Sequence, residues 1–99
     1  MPLQIEFDPD KNTRNIRMRG ISLGRAATLL EGFVVDQRDE RRDYGETRVV
    51  AIGEIDGCEF VCVYTLRGEV YRVISLRPAK RKERYVYQAA KAADRSEKA

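Results

Sequence analysis

Arg72, Arg77, Lys80, Arg81, Lys82 and Arg84 fall within one short stretch, Glu69-Val-Tyr-Arg-Val-Ile-Ser-Leu-Arg-Pro-Ala-Lys-Arg-Lys-Glu-Arg84. The arginine fork binds phosphate oxygens in pairs, and a lysine ammonium adds a point charge. A helix N-terminus prefers acids by about 0.3–1 kcal/mol each, yet here Lys80, Arg81 and Lys82 stand against Glu83 alone. Such crowding is relieved when an anion arrives, and free helix N–H groups also bind phosphate. The cluster therefore points to an anion site for RNA phosphates. The competing reading is a solvated charged face whose members pair with acids elsewhere.

The chain contains no histidine, so histidine-based catalysis is excluded and transition-metal sites are disfavoured. Proton transfers would fall to Lys, Arg, Tyr, Glu or Asp, or to substrate and water. Cys58 and Cys62 do not form a disulfide framework. Without histidine or a second cysteine pair they do not form a zinc site either, and Cys62 reads as a small buried apolar residue.

The scaffold that must hold these side chains is 99 residues long, which fits one domain with a modest core. The chain is 42% hydrophobic and 35% charged, which is a globular composition. The formal net charge is +3, but its distribution is uneven. Residues 1–65 hold 9 Lys/Arg and 12 Asp/Glu, whereas residues 66–99 hold 10 and 4. A basic C-terminal third suits a polyanionic partner. No apolar run approaches the roughly 20 residues of a membrane span, and no signal peptide precedes the domain, so a cytoplasmic location without membrane contact is expected.

Leu3–Phe7 alternates as a first strand. Asp8 caps and Pro9 opens a short helix over Asp10–Arg19, which Gly20 ends. Ser22 caps a second helix with Leu23, Ala26, Ala27 and Leu30 facing the core. Phe33–Asp36 is a short strand. Gln37–Glu46 then reads either as a mobile, solvated connector or as a flap bringing Arg41, Arg42 or Glu46 to a site. Arg48–Ile55, Glu59–Thr65 and Val70–Leu76 are three strands of a meander, turning at Asp56-Gly57 and Arg67-Gly68. Pro78 opens a helix that runs to about Ala93 and packs through Tyr85, Val86, Ala89 and Ala92–Ala93. The fold class is α+β in the order β-α-α-β-β-β-β-α, an antiparallel meander sheet with helices packed on it. Residues 1–93 form the domain and 94–99 a flexible tail.

Turning at Arg67-Gly68 sets Val61 opposite Ile74 and Val63 opposite Arg72. One face then carries Val50, Ile52, Val61, Val63, Val70, Ile74 and Leu76, with Arg48 and Arg72 close together at one end. This is the natural floor for the helices. The other face carries Val49, Ala51, Gly53, Phe60, Cys62, Tyr64, Tyr71, Val73, Ser75 and Arg77. Its tyrosine pair, Tyr64 and Tyr71, either stacks bases at about 1–3 kcal/mol each or simply covers the back of the sheet.

Several short motifs recur in a fixed order: Glu6-Phe-Asp-Pro-Asp-Lys11, Asn15, Gly20-Ile-Ser22, Ala26-Ala27, Gly45-Glu46-Thr-Arg48 and Ala51-Ile-Gly53. They continue with Val63-Tyr-Thr-Leu-Arg-Gly68, Arg72-Val-Ile-Ser-Leu-Arg77, Ala79 and Glu83-Arg84. On these the chain, from about residue 5 to 87, resembles the BrnT-type ribonuclease toxins of bacterial type II toxin–antitoxin pairs, which have a RelE-like, microbial-ribonuclease-like fold. The resemblance implies metal-independent endoribonuclease activity that inhibits translation, with no cofactor. It also implies a cognate antitoxin, of ribbon-helix-helix type, that neutralises the toxin and through which operator DNA is met. Lys11, Arg48, Arg72 and Arg77 fall on the family's polar motif positions. The family often has tryptophan where Phe7 stands, histidine where Arg19 stands and a second basic residue where Pro78 stands.

In such a reaction RNA supplies its own nucleophile, the 2′-OH, and the protein orients the phosphate and neutralises developing charge. Arg77 and Arg72 would then hold the scissile phosphate. Lys80, Arg81 and Arg84 would hold flanking phosphates, Tyr64 or Tyr71 would stack a base, and Glu46 or Lys11 would transfer a proton. The alternative is a module of the same shape that grips RNA or its antitoxin without cleaving.

Overall fold

The structure, a computed structural model, describes residues 3–40 and 45–98. It contains β1 (Ile5–Glu6), α1 (Pro9–Arg19), a single 3-10 turn (Leu23–Arg25), α2 (Ala26–Glu31) and β2 (Val35–Asp39). These are followed by β3 (Arg48–Ile55), β4 (Cys58–Arg67), β5 (Val70–Pro78) and α3 (Arg81–Lys98). The α+β class and the element order are those expected. The sheet is mixed rather than purely antiparallel: its order is β1-β5-β4-β3-β2, and β1 runs parallel to β5. Local alternation cannot reveal that pairing, because it depends on where the last strand returns.

The start of the chain follows its capping signals. Asp8 accepts the Asp10 N–H at 2.9 Å, Pro9 occupies the first helical turn, and Gly20 closes α1 in the left-handed region at φ 73°. Ser22 caps the 3-10 turn through the Gly24 N–H. Leu23, Ala26 and Leu29 are fully buried, while Ala27 and Leu30 are only partly so. Leu29 can reach the sheet because Gly53 lies beneath it: a Cβ there would stand 2.7 Å from Leu29 Cγ. Part of the expected charged connector is strand, since Gln37, Arg38 and Asp39 pair with Val50, Val49 and Arg48. Arg41 and Arg42 lie outside the described residues.

The β3–β4 register is the one a two-residue turn at Asp56-Gly57 dictates, with Ile52 opposite Val61 and Val50 opposite Val63. The β4–β5 register is not the expected one. The turn is Gly68-Glu69, with Arg67 opposite Val70, and Gly68 supplies the positive φ of 62°. A bulge then leaves Ile74 without a partner, because Tyr64 faces Val73 but Val63 faces Ser75. Downstream of it Cys62 faces Leu76 and Val61 faces Arg77. An unbulged ladder from the same turn would put Arg77 on the core side and Leu76 on the opposite side, because side chains alternate.

The faces are therefore reassigned. The helical floor is the side of Ala51, Ile55, Cys62, Tyr64, Val73 and Leu76, packed with Leu23, Ala26 and Leu29. The aliphatic side of Val50, Ile52, Val61 and Val63 carries Arg77 and is bordered by Asn15 and Arg19 of α1 and by Glu83 of α3. Pro78 does not open α3. It stays in the ladder opposite Phe60, and the Ala79 N–H continues the pairing to Glu59 O at 3.0 Å. A residue before proline is biased to extended backbone, which favours this continuation at Arg77. Nor does α3 pack through Tyr85 and Val86, which are 79% and 48% exposed. Its anchor is Tyr87, 1% exposed, whose hydroxyl meets Phe33 O and Glu54 Oε1.

Candidate functional site

The open face is organised in ladder rows. Val35, Ile52, Val61 and Arg77 form one row, and Gln37, Val50, Val63 and Ser75 the next. In the third, Asp39 faces Arg48, and Thr65 faces Arg72, which in turn faces Glu6. A cleft of about 440 Å³ lies over the first two rows, with Asn15 and Arg19 from α1 on one wall and, on the other, Lys80 just before α3 and Glu83 in its first turn. Its floor is Val50, Val61 and Val63, and Arg77 and Ser75 project from β5. Two polar helix ends thus face each other across an apolar floor.

Arg77 is held in place. Its Nη1 and Nη2 donate to Glu83 Oε1 and Oε2 at 2.8 Å each, and Nη1 also reaches Pro78 O at 3.2 Å. Glu83 Oε1 accepts the Lys80 N–H at 2.7 Å, the backward half of a capping box at the start of α3. The hydrogen bonds from Arg77, with the Lys80 N–H in support, overcome desolvation and pull the Glu83 carboxyl down to about 2. A carboxylate so acidic is a poor general base near neutral pH and a good anchor for a guanidinium. Glu83 therefore sets where Arg77 points.

Asn15 fixes α1 to the sheet. Its amide nitrogen donates to Leu76 O and Ile21 O, both at 2.9 Å, and its oxygen faces the Leu76 N–H at 3.5 Å. The side chain thus stands in for the strand neighbour that two-residue β1 is too short to provide. Asn12 Oδ1 adds bonds from the Leu23 N–H and the Ser22 hydroxyl. These contacts bring Arg19 to the cleft. A shallower groove of about 280 Å³ adjoins it and shares Asn15, Arg19 and Ser75, with Lys11, Arg14, Met18 and Ile74 as its other lining.

The expected site residues are not all in one place. Arg77 and Lys80 line the cleft. Arg72 lies two rows away, about 13 Å of backbone at strand spacing, with Glu6 Oε1 at 3.7 Å from its Nη1. Arg48 is in that third row, 3.7 Å from Glu46, and Glu46 also lies 4.0 Å from Arg67. Lys11 is in the groove along α1. Arg81 is exposed and outside the cleft lining, and Arg84 donates to Ala79 O at 2.9 Å. Tyr64 and Tyr71 do pack together, with ring centroids 5.0 Å apart, but on the core side. Tyr64 is 6% exposed, and burial first, then Asp36, pushes its hydroxyl up to about 12. The pair does not face the cleft because the bulge, not the turn alone, sorts the end of β5.

Sequence reasoning passed over Arg14, Arg19, Asn15, Ser75 and Glu83 as site residues. One local signal was available: Glu83 stands three residues after Lys80, the capping-box spacing. Among the described residues no cluster of three Cys, Asp or Glu could hold a metal ion, and no helix is long and apolar enough to cross a membrane.

No curated protein matches the chain. A family model described as "Ribonuclease toxin, BrnT, of type II toxin-antitoxin system" matches residues 7–83. That span covers well over half the sequence and takes in α1, the bulged β5, Arg77 and Glu83, so the chain belongs to the BrnT family of ribonuclease toxins.

Proposed function

We propose that this protein is an endoribonuclease that cuts single-stranded RNA in the cleft between α1 and α3, without a metal, and thereby blocks translation. Membership of a type II toxin–antitoxin family brings with it RNA as substrate and a cognate antitoxin as partner. The observation that carries the assignment to this cleft is the clamped Arg77, a guanidinium oriented by two bonds to Glu83 beside Lys80 and Arg19.

Arg77 and Lys80 bind the scissile phosphate and offset the charge that builds as the 2′-OH attacks in line. Because the positions are fixed before RNA arrives, little reorganisation is needed at the moment of reaction. Arg72 and Arg48, two rows away, hold a neighbouring phosphate instead of sharing the scissile one. Arg81 and Arg84 add general attraction at the mouth. Glu46, at the third row, and Lys11, along α1, do not line the cleft, so the proton transfers are assigned to water and the RNA. The antitoxin is proposed to be a ribbon-helix-helix protein and to carry the contacts with operator DNA, on the family resemblance alone.

A second reading, RNA gripping without cleavage, has one observation in its favour. The sole acid lining the cleft, Glu83, is engaged by Arg77. One experiment separates the two: incubation of single-stranded RNA with purified protein in EDTA, comparing wild type with Arg77→Ala. Cleavage that persists in EDTA and falls at least a hundredfold in the variant is the expected result. Equal rates remove Arg77 from the site, and salt-sensitive binding without product supports the second reading.

A further inference from the structure

The groove between α1 and β5 remains outside the cleavage site proper. It opens into the cleft through Arg19 and Ser75, so the two form one continuous trough. Its rim carries Lys11, Arg14 and Arg19, and no acid lines it. Among the described residues none of these three cations is paired with a carboxylate, unlike Arg72 and Arg77. Its floor is apolar: Ile74, the residue the bulge leaves unpaired, and Met18, 70% exposed, whereas the other aliphatic side chain of α1, Ile16, is 47% exposed and outside the groove lining. A wholly solvated helix face has no need of that methionine. A flexible thioether beside an aliphatic floor accepts any flat base, and the cations above it suit the adjoining phosphate.

We infer that the α1–β5 groove is a nucleotide subsite, which takes the base of the residue next to the cleaved one on Met18 and Ile74 and its phosphate on Arg14. This rests on the cleft being where RNA is cut. The subsite contributes affinity and path, not chemistry. It reads a flat ring with a phosphate rather than a particular base, since Asn15, the amide at its inner end, is already committed to Leu76 and Ile21.

The test uses the full chain with a mixed-sequence single-stranded RNA, and Arg14→Ala against Arg17→Ala. Arg17 is exposed on the same helix but outside the groove lining, so it controls for net charge and for helix stability. Arg14→Ala is expected to raise KM about fivefold while the rate at saturating RNA holds, as for one screened charge contact. The salt slope of binding, read with 2′-O-methylated RNA, should fall by about 0.7, the value for one phosphate on a single strand. Arg17→Ala should change neither. Met18→Ser should raise KM similarly but leave the salt slope intact. Equal effects of Arg14→Ala and Arg17→Ala, or a fall in saturated rate without a change in KM, overturn the subsite. Arg77→Ala, run in parallel, tells the two failures apart. If it abolishes cleavage while Arg14 and Arg17 behave alike, only the subsite is lost; if it cleaves like wild type, the cleft itself is misassigned.

Discussion

Replacing Glu83 by Gln keeps the shape of the side chain and removes its charge. In the native protein this carboxyl sits at about 2, against an ordinary value of 4.5, chiefly because Arg77 donates to both its oxygens. A native value below the unfolded one means that ionisation favours the folded state. The stabilisation is fully present above about pH 4.5 and fades as pH falls towards 2. At about 1.4 kcal/mol per unit the ceiling is near 3 kcal/mol. The Arg77 and Glu83 side chains are 27% and 26% exposed, so solvent screening lowers this to about 1–2 kcal/mol. Glutamine keeps one acceptor for the Lys80 N–H, so the helix cap is largely spared. Urea unfolding of both proteins at several pH values measures the gap. Glu83→Gln should unfold about 1–2 kcal/mol more easily at pH 7, or about 5–10 °C lower in a thermal scan. Roughly three-quarters of that gap should survive at pH 4 and roughly two-fifths at pH 3. A gap that stays constant from pH 7 to pH 3, or no gap at all, would show that the ion pair does not orient Arg77 in solution.

Asn15→Ala leaves Leu76 O and Ile21 O without their amide donor and should cost about 2 kcal/mol in urea unfolding, with α1 exchanging its amide hydrogens faster. Gly53→Ala pushes a methyl group against Leu29 and, at 3.2 Å, Val34 Cγ1, which should lower stability by about 1–3 kcal/mol; an unchanged melting temperature would mean that α2 rides further from the sheet. The Tyr87 hydroxyl is pushed up to about 12 by burial and then by Glu54, so native Tyr87 favours the neutral form and its contribution is lost as pH rises from 10 towards 12. Tyr87→Phe should remove that part of the alkaline fall in stability while costing about 1 kcal/mol at pH 7, as followed by thermal scans across pH.

Most of the scaffold was legible locally. Asp8, Pro9 and Gly20 delimit α1 by capping chemistry, and Asp56-Gly57 fixes the β3–β4 register, because both signals act within a few residues. The ordered motifs also carried the family, which the match over residues 7–83 bears out. The candidate site was legible only in its members. Arg77 and Lys80 could be picked out by type, but not their partners Arg19 and Asn15, which come from the other end of the chain.

The amino-acid order by itself settled the order of helices and strands, that one end of the chain is basic, and which family it belongs to. Tertiary structure settled which way the basic residues face. A one-residue bulge at Ile74 turned Leu76 into the core and Arg77 onto the open side, away from Tyr64 and Tyr71, which precede the shift and stay on the core side. Side chains alternate along a strand, so a single unpaired residue reverses everything after it. Whether that residue is accommodated depends on how the helical layer packs, not on the strand's own sequence.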